Sequence, residues 1–223
     1  MTETVLISGA NRGIGLALAK RFADGGFRVL AACRNPAAFA NDNPHITPVG
    51  LDVTSAESVM ELAAELQDET ISILVNNAGV TDKESSLGDM NYDKWIEAFA
   101  VNAVAPFRVA EAFLPQLKKA KTPKIITVTS MMGSLLRSAD GYHAYRTSKA
   151  AANKMMQLLA LDLEKDGIIA CPVHPGWVKT DMGGLRAEIT PEDSADGLFT
   201  LITGLKQEDS GRFWQWNGEE HPW

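Results

Sequence analysis

Cysteine is scarce in this chain: 2 among 223 residues, Cys33 and Cys171. They are far apart in sequence, so no metal-binding or redox spacing exists, and each lies in an apolar run that suggests a buried, reduced thiol. Long hydrophobic runs are also missing. No stretch reaches the ~20 apolar residues a membrane helix needs, and the N-terminus lacks a basic-apolar-small signal pattern. Positive charge is not in excess either: the net charge is -7, which argues against nucleic acid as the partner. A cytoplasmic protein acting on a small molecule is the expectation. Apolar residues make up 45% and charged residues 22%, as in soluble globular domains.

Short β-branched runs alternate with helical patterns along the chain. Strands are expected at Thr4–Ser8, Phe27–Ala32, Ile46–Val49, Ile71–Asn76, Lys124–Thr129, Ile168–His174 and Arg212–Trp216. Ile14, Ala17, Leu18 and Phe22 form one helical stripe, and Val59, Leu62, Ala63 and Leu66 another. Thr54-x-x-Glu57 reads as a capping box ahead of the second. The segment Tyr92–Lys119 is long for one helix, and Pro106 predicts a break in it. Ala150–Leu163 is apolar nearly all round, so a second face of that helix is expected to meet another subunit, making a homodimer. The pattern predicts one α/β domain over 1–223, a doubly wound parallel sheet of about seven strands with helices on both faces. Ligands of such sheets sit outside the carboxyl ends of the strands.

The first strand runs into "SGANRGIG", with Gly9, Gly13 and Gly15 between a strand and a helix starting near Arg12. Glycines here allow a tight turn and close approach of the backbone to a pyrophosphate at a helix N-terminus. The second strand ends in Arg34, with no carboxylate until Asp42. A carboxylate there would repel a 2′-phosphate, whereas a guanidinium binds one. Arg12 adds a second cation, so NADP(H) is expected over NAD(H).

"YHAYRTSKAAAN" (142–153) holds Tyr142 four residues before Arg146 and Tyr145 four before Lys149, each pair on one helical face. Arginine does not give up its proton, so Tyr145 with Lys149 is the chemical pair and Tyr142 belongs to the site rim or to capping. Ser130 ends "IITVTS", fifteen residues upstream of Tyr145. Asn102 is a polar amide on the apolar stripe of Trp95 and Phe99, and so needs a partner.

In this order, these motifs resemble the short-chain dehydrogenase/reductase family over essentially the whole chain. "GANRGIG", "CRNP", "PGWVKTDMGG" and the ending "FWQWNGEEHPW" resemble its branch of C-factor-like proteins and sniffer-type carbonyl reductases. The family's usual Thr is Ser8 here, with the hydroxyl kept. The resemblance implies a catalytic tetrad of Asn102, Ser130, Tyr145 and Lys149, with no metal. It implies cofactor contacts at Gly9, Asn11, Arg12, Gly13, Ile14, Gly15 and Arg34, then Asp52 and Val53 at the adenine. Asn77, Ala78 and Gly79, then Pro175, Gly176, Val178 and Thr180, would line the rest, with Tyr145 and Lys149 at the nicotinamide ribose. Tyr145 would protonate the carbonyl of an aldehyde, ketone or quinone, its pKa lowered by Lys149. Many members carry a longer lid; here a short substrate loop near 181–190 is expected, with an open pocket at Met131, Met132, Trp177 and Met182. The alternative implied by C-factor-like relatives is an NADP-binding signalling or sensor protein with incidental turnover.

Overall fold

The computed structural model describes residues 2–81, 87–137 and 139–223. Seven parallel strands form one sheet: β1 (Thr4–Ser8), β2 (Arg28–Cys33), β3 (Ile46–Gly50), β4 (Ile73–Asn76), β5 (Lys124–Val128), β6 (Ile169–His174) and β7 (Trp214–Gln215). Their order is β3-β2-β1-β4-β5-β6-β7. All seven expected strands form, within one to two residues at most ends. The short β7 pairs Val173 with Trp214 and His174 with Gln215.

Alternation along the strands splits the core into two layers, because successive side chains point to opposite faces. Val5 and Ile7 of β1 join α1 (Gly13–Asp24) and α7 (Pro191–Gly204) through Leu18, Phe22, Leu198 and Ile202. Leu6 faces the other layer, built on α2 (Ala56–Glu65), α4 (Ala105–Ala112), α5 (Leu114–Leu117) and α6 (His143–Asp162). Burial on both faces explains the near-continuous apolar strands. Both cysteines are buried and free.

Two helix boundaries differ from the sequence expectation. The N-cap of α2 is Ser55, whose Oγ accepts from Ser58 N, while Thr54 bonds Asp52 instead. In Tyr92–Lys119 the α-ladder changes before Pro106, not at it. The helix α3 (Tyr92–Phe99) passes into a π-turn at Ala100–Val104, and α4 follows with Pro106 in its first turn.

Strand order reverses between β1 and β4, opening a crevice at their carboxyl ends. No helix among the described residues is long and apolar enough to cross a membrane.

Candidate active site

The crevice is built on backbone. Ser8 Oγ accepts from Asn77 N at 3.0 Å and Ala78 N at 3.1 Å. Asn77 Nδ2 returns bonds to the carbonyls of Ser8 and Gly9. A Cβ on Gly9 would lie 2.9 Å from Ala78 Cα, and one on Gly15 would overlap the Gly9 carbonyl. Gly9 and Gly13 also take φ of 64° and 53°, which side chains resist. The α1 N-terminus has no side-chain cap and no acid in its first turn, so its N–H groups remain available to an anion. Asn11 is exposed and Ile14 half-buried at this turn.

Arg34 follows β2 directly and is exposed. Asp52 follows β3, with Val53 half-buried beside it. Its Oδ1 accepts from Thr54 N at 2.9 Å and Thr54 Oγ1 at 2.7 Å. Those bonds, with help from the Arg34 charge, hold its carboxyl below the usual range. Arg12 Nη1 meets Asp181 Oδ2 at 3.0 Å, in an exposed pair. That partner lies 169 residues away in sequence, beyond what local spacing reveals.

Ser130 ends the β5 edge and opens a single 3₁₀ turn, Met131–Gly133, accepting from Met132 N at 3.1 Å. The turn lies flat on α6: a Cβ on Gly133 would come within 2.7 Å of the Lys149 carbonyl carbon. This close approach brings Ser130 to Tyr145. Burial raises the Tyr145 pKa, and the Ser130 hydrogen bond only partly opposes it. Sequence reasoning expected Lys149 to lower that pKa; in this structure desolvation wins. Lys149 is 4% exposed, its Nζ donates to the Val128 carbonyl at 2.8 Å and lies 5.7 Å from the Tyr145 ring centre. Burial takes its pKa down to about 8.

Asn102, in the π-turn, finds the partners its burial demanded. Its amide pairs both ways with Val80, accepting from N and donating to O, each at 2.9 Å, and donates to Ser148 Oγ at 3.0 Å. Ser148 Oγ in turn donates to the Tyr145 carbonyl. Ser148 was missed in the sequence; its signal was a hydroxyl on the face of α6 beside the tyrosine. Gly79 lies between, since a Cβ there would be 3.2 Å from Asn102 Oδ1 and 3.6 Å from Lys149 Nζ. The four tetrad candidates thus converge. Tyr142 occupies the α6 N-cap position with φ of 53°, and its side chain caps nothing.

The stretch after β6 is compact. Gly176, after Pro175, takes φ of 89°, Val178 bridges Ile189, and Thr180 Oγ1 accepts from Gly183 N. Thr180 Cγ2 would lie 3.3 Å from a Cβ on Gly13, so this loop abuts the glycine turn. Trp177 is 45% exposed, and its Nε1 donates to Gly183 O at 2.9 Å. Met131 and Met132 are half-buried beside Ser130. A cleft of about 1000 Å³ runs between Gly79–Thr81, residues 89–94, Glu97, Ala98, Arg12, Asp181 and Met182. Of the four expected substrate residues only Met182 lines it.

The comparisons agree with this architecture. The short chain dehydrogenase family model matches residues 3–189. The C-signal protein of Myxococcus xanthus is 43% identical over 154 residues, covering 69% of this chain and 93% of that protein. The carbonyl reductase Sniffer of D. melanogaster superimposes with a TM-score of 0.95 at 30% identity, over all of both chains. NADPH-bound carbonyl reductase from chicken fatty liver gives 0.92 at 31% identity, over 100% of this chain and 99% of that one. From glycine turn to Tyr145 helix, this chain belongs to the short-chain dehydrogenase/reductase family of oxidoreductases.

Proposed function

We propose that the protein is an NADPH-dependent reductase of aldehydes, ketones or quinones, with Tyr145 as general acid. The observation that carries this is the Tyr145 hydroxyl hydrogen-bonded to Ser130, with Lys149 on the next turn of α6 and its Nζ 5.7 Å from the Tyr145 ring centre. A protonated phenol beside a second hydroxyl is suited to receiving a carbonyl oxygen and giving it a proton. Bound NADPH supplies the hydride for the carbonyl carbon.

The glycine turn and the open α1 N-terminus fit the pyrophosphate, and Asp52 and Val53 fit the adenine. Asn77 to Gly79, with Pro175, Gly176, Val178 and Thr180, form the walls. Arg34 is the cation assigned to the 2′-phosphate, with Arg12 joining it once released from Asp181. Lys149 hands a proton to Tyr145 after each turnover, and Asn102 holds Val80 and Gly79 beside it. Residues 181–190 form the substrate loop of the single domain 1–223. Exposed Tyr92, Ile96, Val104 and Phe107 on α3–α4, with Leu158 and Leu161 on α6, support a homodimer through these helices.

Tyr145→Phe tests the chemistry. Turnover of a carbonyl panel is expected to fall about 10²–10⁴-fold, with NADPH affinity kept. The similarity to C-signal favours one other reading, an NADP-binding signalling protein. Tight NADPH binding by the wild type with no turnover of any carbonyl would favour it.

A further inference from the structure

Residues 130–137, which begin with Ser130, leave β5 through successive tight turns. Gly133 N donates to Ser130 O at 2.9 Å, Ser134 N to Met131 O at 3.2 Å and Arg137 N to Ser134 O at 3.4 Å. These bonds are local, and 3₁₀-type bonds have poor geometry. Little apolar burial holds the far end of the segment, since Leu135 and Leu136 are 85% and 73% exposed. Among the described residues, one hydrogen bond ties 134–137 to a distant part of the chain. Leu136 N donates to the Trp223 carbonyl at 3.3 Å.

Trp223 is itself anchored. After β7 the chain reverses: Trp214 bridges Glu220 in antiparallel fashion, and Gln215 N donates to Glu219 O at 2.8 Å. His221 N donates to Phe213 O at 2.6 Å, and the two rings lie 4.8 Å apart. The Trp223 ring packs on the fully buried Phe213, with centres 5.6 Å apart. Aromatic pairs at this range fix geometry as well as bury area. The sheet edge thus holds Trp223, Trp223 holds Leu136, and the turn bonds connect Leu136 with Ser130.

Resting on the reductase reading of this site, we infer that Trp223 is a positioning residue for the reduction. It fixes the far end of 130–137, and through it the direction in which the Ser130 hydroxyl meets Tyr145 and the substrate carbonyl. A misplacement of about 1 Å at a reacting group costs about 10²-fold in rate. A segment left loose at Leu136 therefore slows turnover, while the glycine turn and the cofactor walls are untouched.

A double-mutant cycle with Ser130→Ala tests this, measuring kcat for one aldehyde, NADPH affinity and the unfolding midpoint of each protein. Trp223→Ala is expected to lower kcat about tenfold when Ser130 is present and less than about twofold in the Ser130→Ala background. NADPH affinity is expected to stay unchanged in both. Trp223→Phe keeps a ring on Phe213 and is expected to hold kcat within about twofold of wild type. Leu136→Pro removes the donor itself at an exposed position. It is expected to repeat the loss of kcat, and serves if Trp223→Ala fails to fold. Three results overturn the inference and leave the reductase reading standing: full kcat in a folded Trp223→Ala or Leu136→Pro protein, an equal fold loss with and without Ser130, or a Trp223→Phe protein as slow as Trp223→Ala. No turnover of any aldehyde by the wild type, with NADPH bound, overturns both.

Discussion

β5 has a buried lysine at each end, and the two are put to different uses. Lys124 begins the strand, 6% exposed, and its Nζ donates to the carbonyls of Ile202 at 2.6 Å and Thr203 at 2.9 Å. Those are late carbonyls of α7, which lack partners within their helix. Lys149 lies against the other end, with one carbonyl bond, to Val128. Burial lowers the pKa of both. Lys124 spends its donors closing a helix end, whereas Lys149 keeps donor capacity beside Tyr145 and Gly79. A parallel sheet explains the asymmetry, since its carboxyl edge opens on the crevice and its amino edge is sealed by helix ends. The same residue type, equally buried, therefore reads as architecture at one edge and as proposed chemistry at the other.

The contrast can be attacked in order of expected effect. Ser130→Ala, at the carboxyl edge, is expected to lower kcat about 10²–10³-fold, measured with a fixed aldehyde; a loss under about threefold would leave Ser130 outside the chemistry. His174 sharpens the contrast, because it ends β6 on the same edge and is read as structural. Burial first, then His221 and Arg137, push its pKa down to about 4. A folded pKa below the unfolded one means that the unfolded chain binds the extra proton. Stability is therefore lost as pH falls from about 6.5 to about 4, by up to about 3 kcal/mol. In urea titrations across that range, His174→Gln is expected to lose less than wild type. Arg34→Ala is expected to cut the preference for NADPH over NADH about tenfold or more, measured by binding both cofactors. The smallest effect belongs to Arg12→Ala. Its exposed pair with Asp181 is worth about 0–1 kcal/mol, so the unfolding midpoint should barely move.

Much of this was legible because the signals are local or periodic. The strands showed as short β-branched, apolar or aromatic runs, and the glycine turn, Ser130, Tyr145 and Lys149 sit at strand ends or on one helical face. What failed depended on choices between neighbours or on distant partners. Thr54 and Ser55 both offer a capping hydroxyl, and Asp52 takes the first, leaving Ser55 as the cap. Pro106 drew attention from the true change in the helix, where Asn102 is held to Val80 and the ladder widens by one residue. Proximity of a cation suggested a lowered Tyr145 pKa, but burial depends on the whole assembly and reverses it. The Arg12–Asp181 pair crosses nearly the full chain.

The most direct test sets Lys149→Met beside Lys124→Met, measuring kcat for one aldehyde and the unfolding free energy of each at pH 7. Lys149→Met is expected to lose about 10²-fold or more in kcat while stability changes by less than about 1 kcal/mol, relief of a buried charge offsetting one lost bond. Lys124→Met is expected to lose about 2 kcal/mol of stability, with two α7 carbonyls left unpaired, and to keep kcat within about threefold. Equal losses of activity in both variants, or a Lys149→Met protein that turns over normally, would contradict the assignment of chemistry to one end of β5 and architecture to the other.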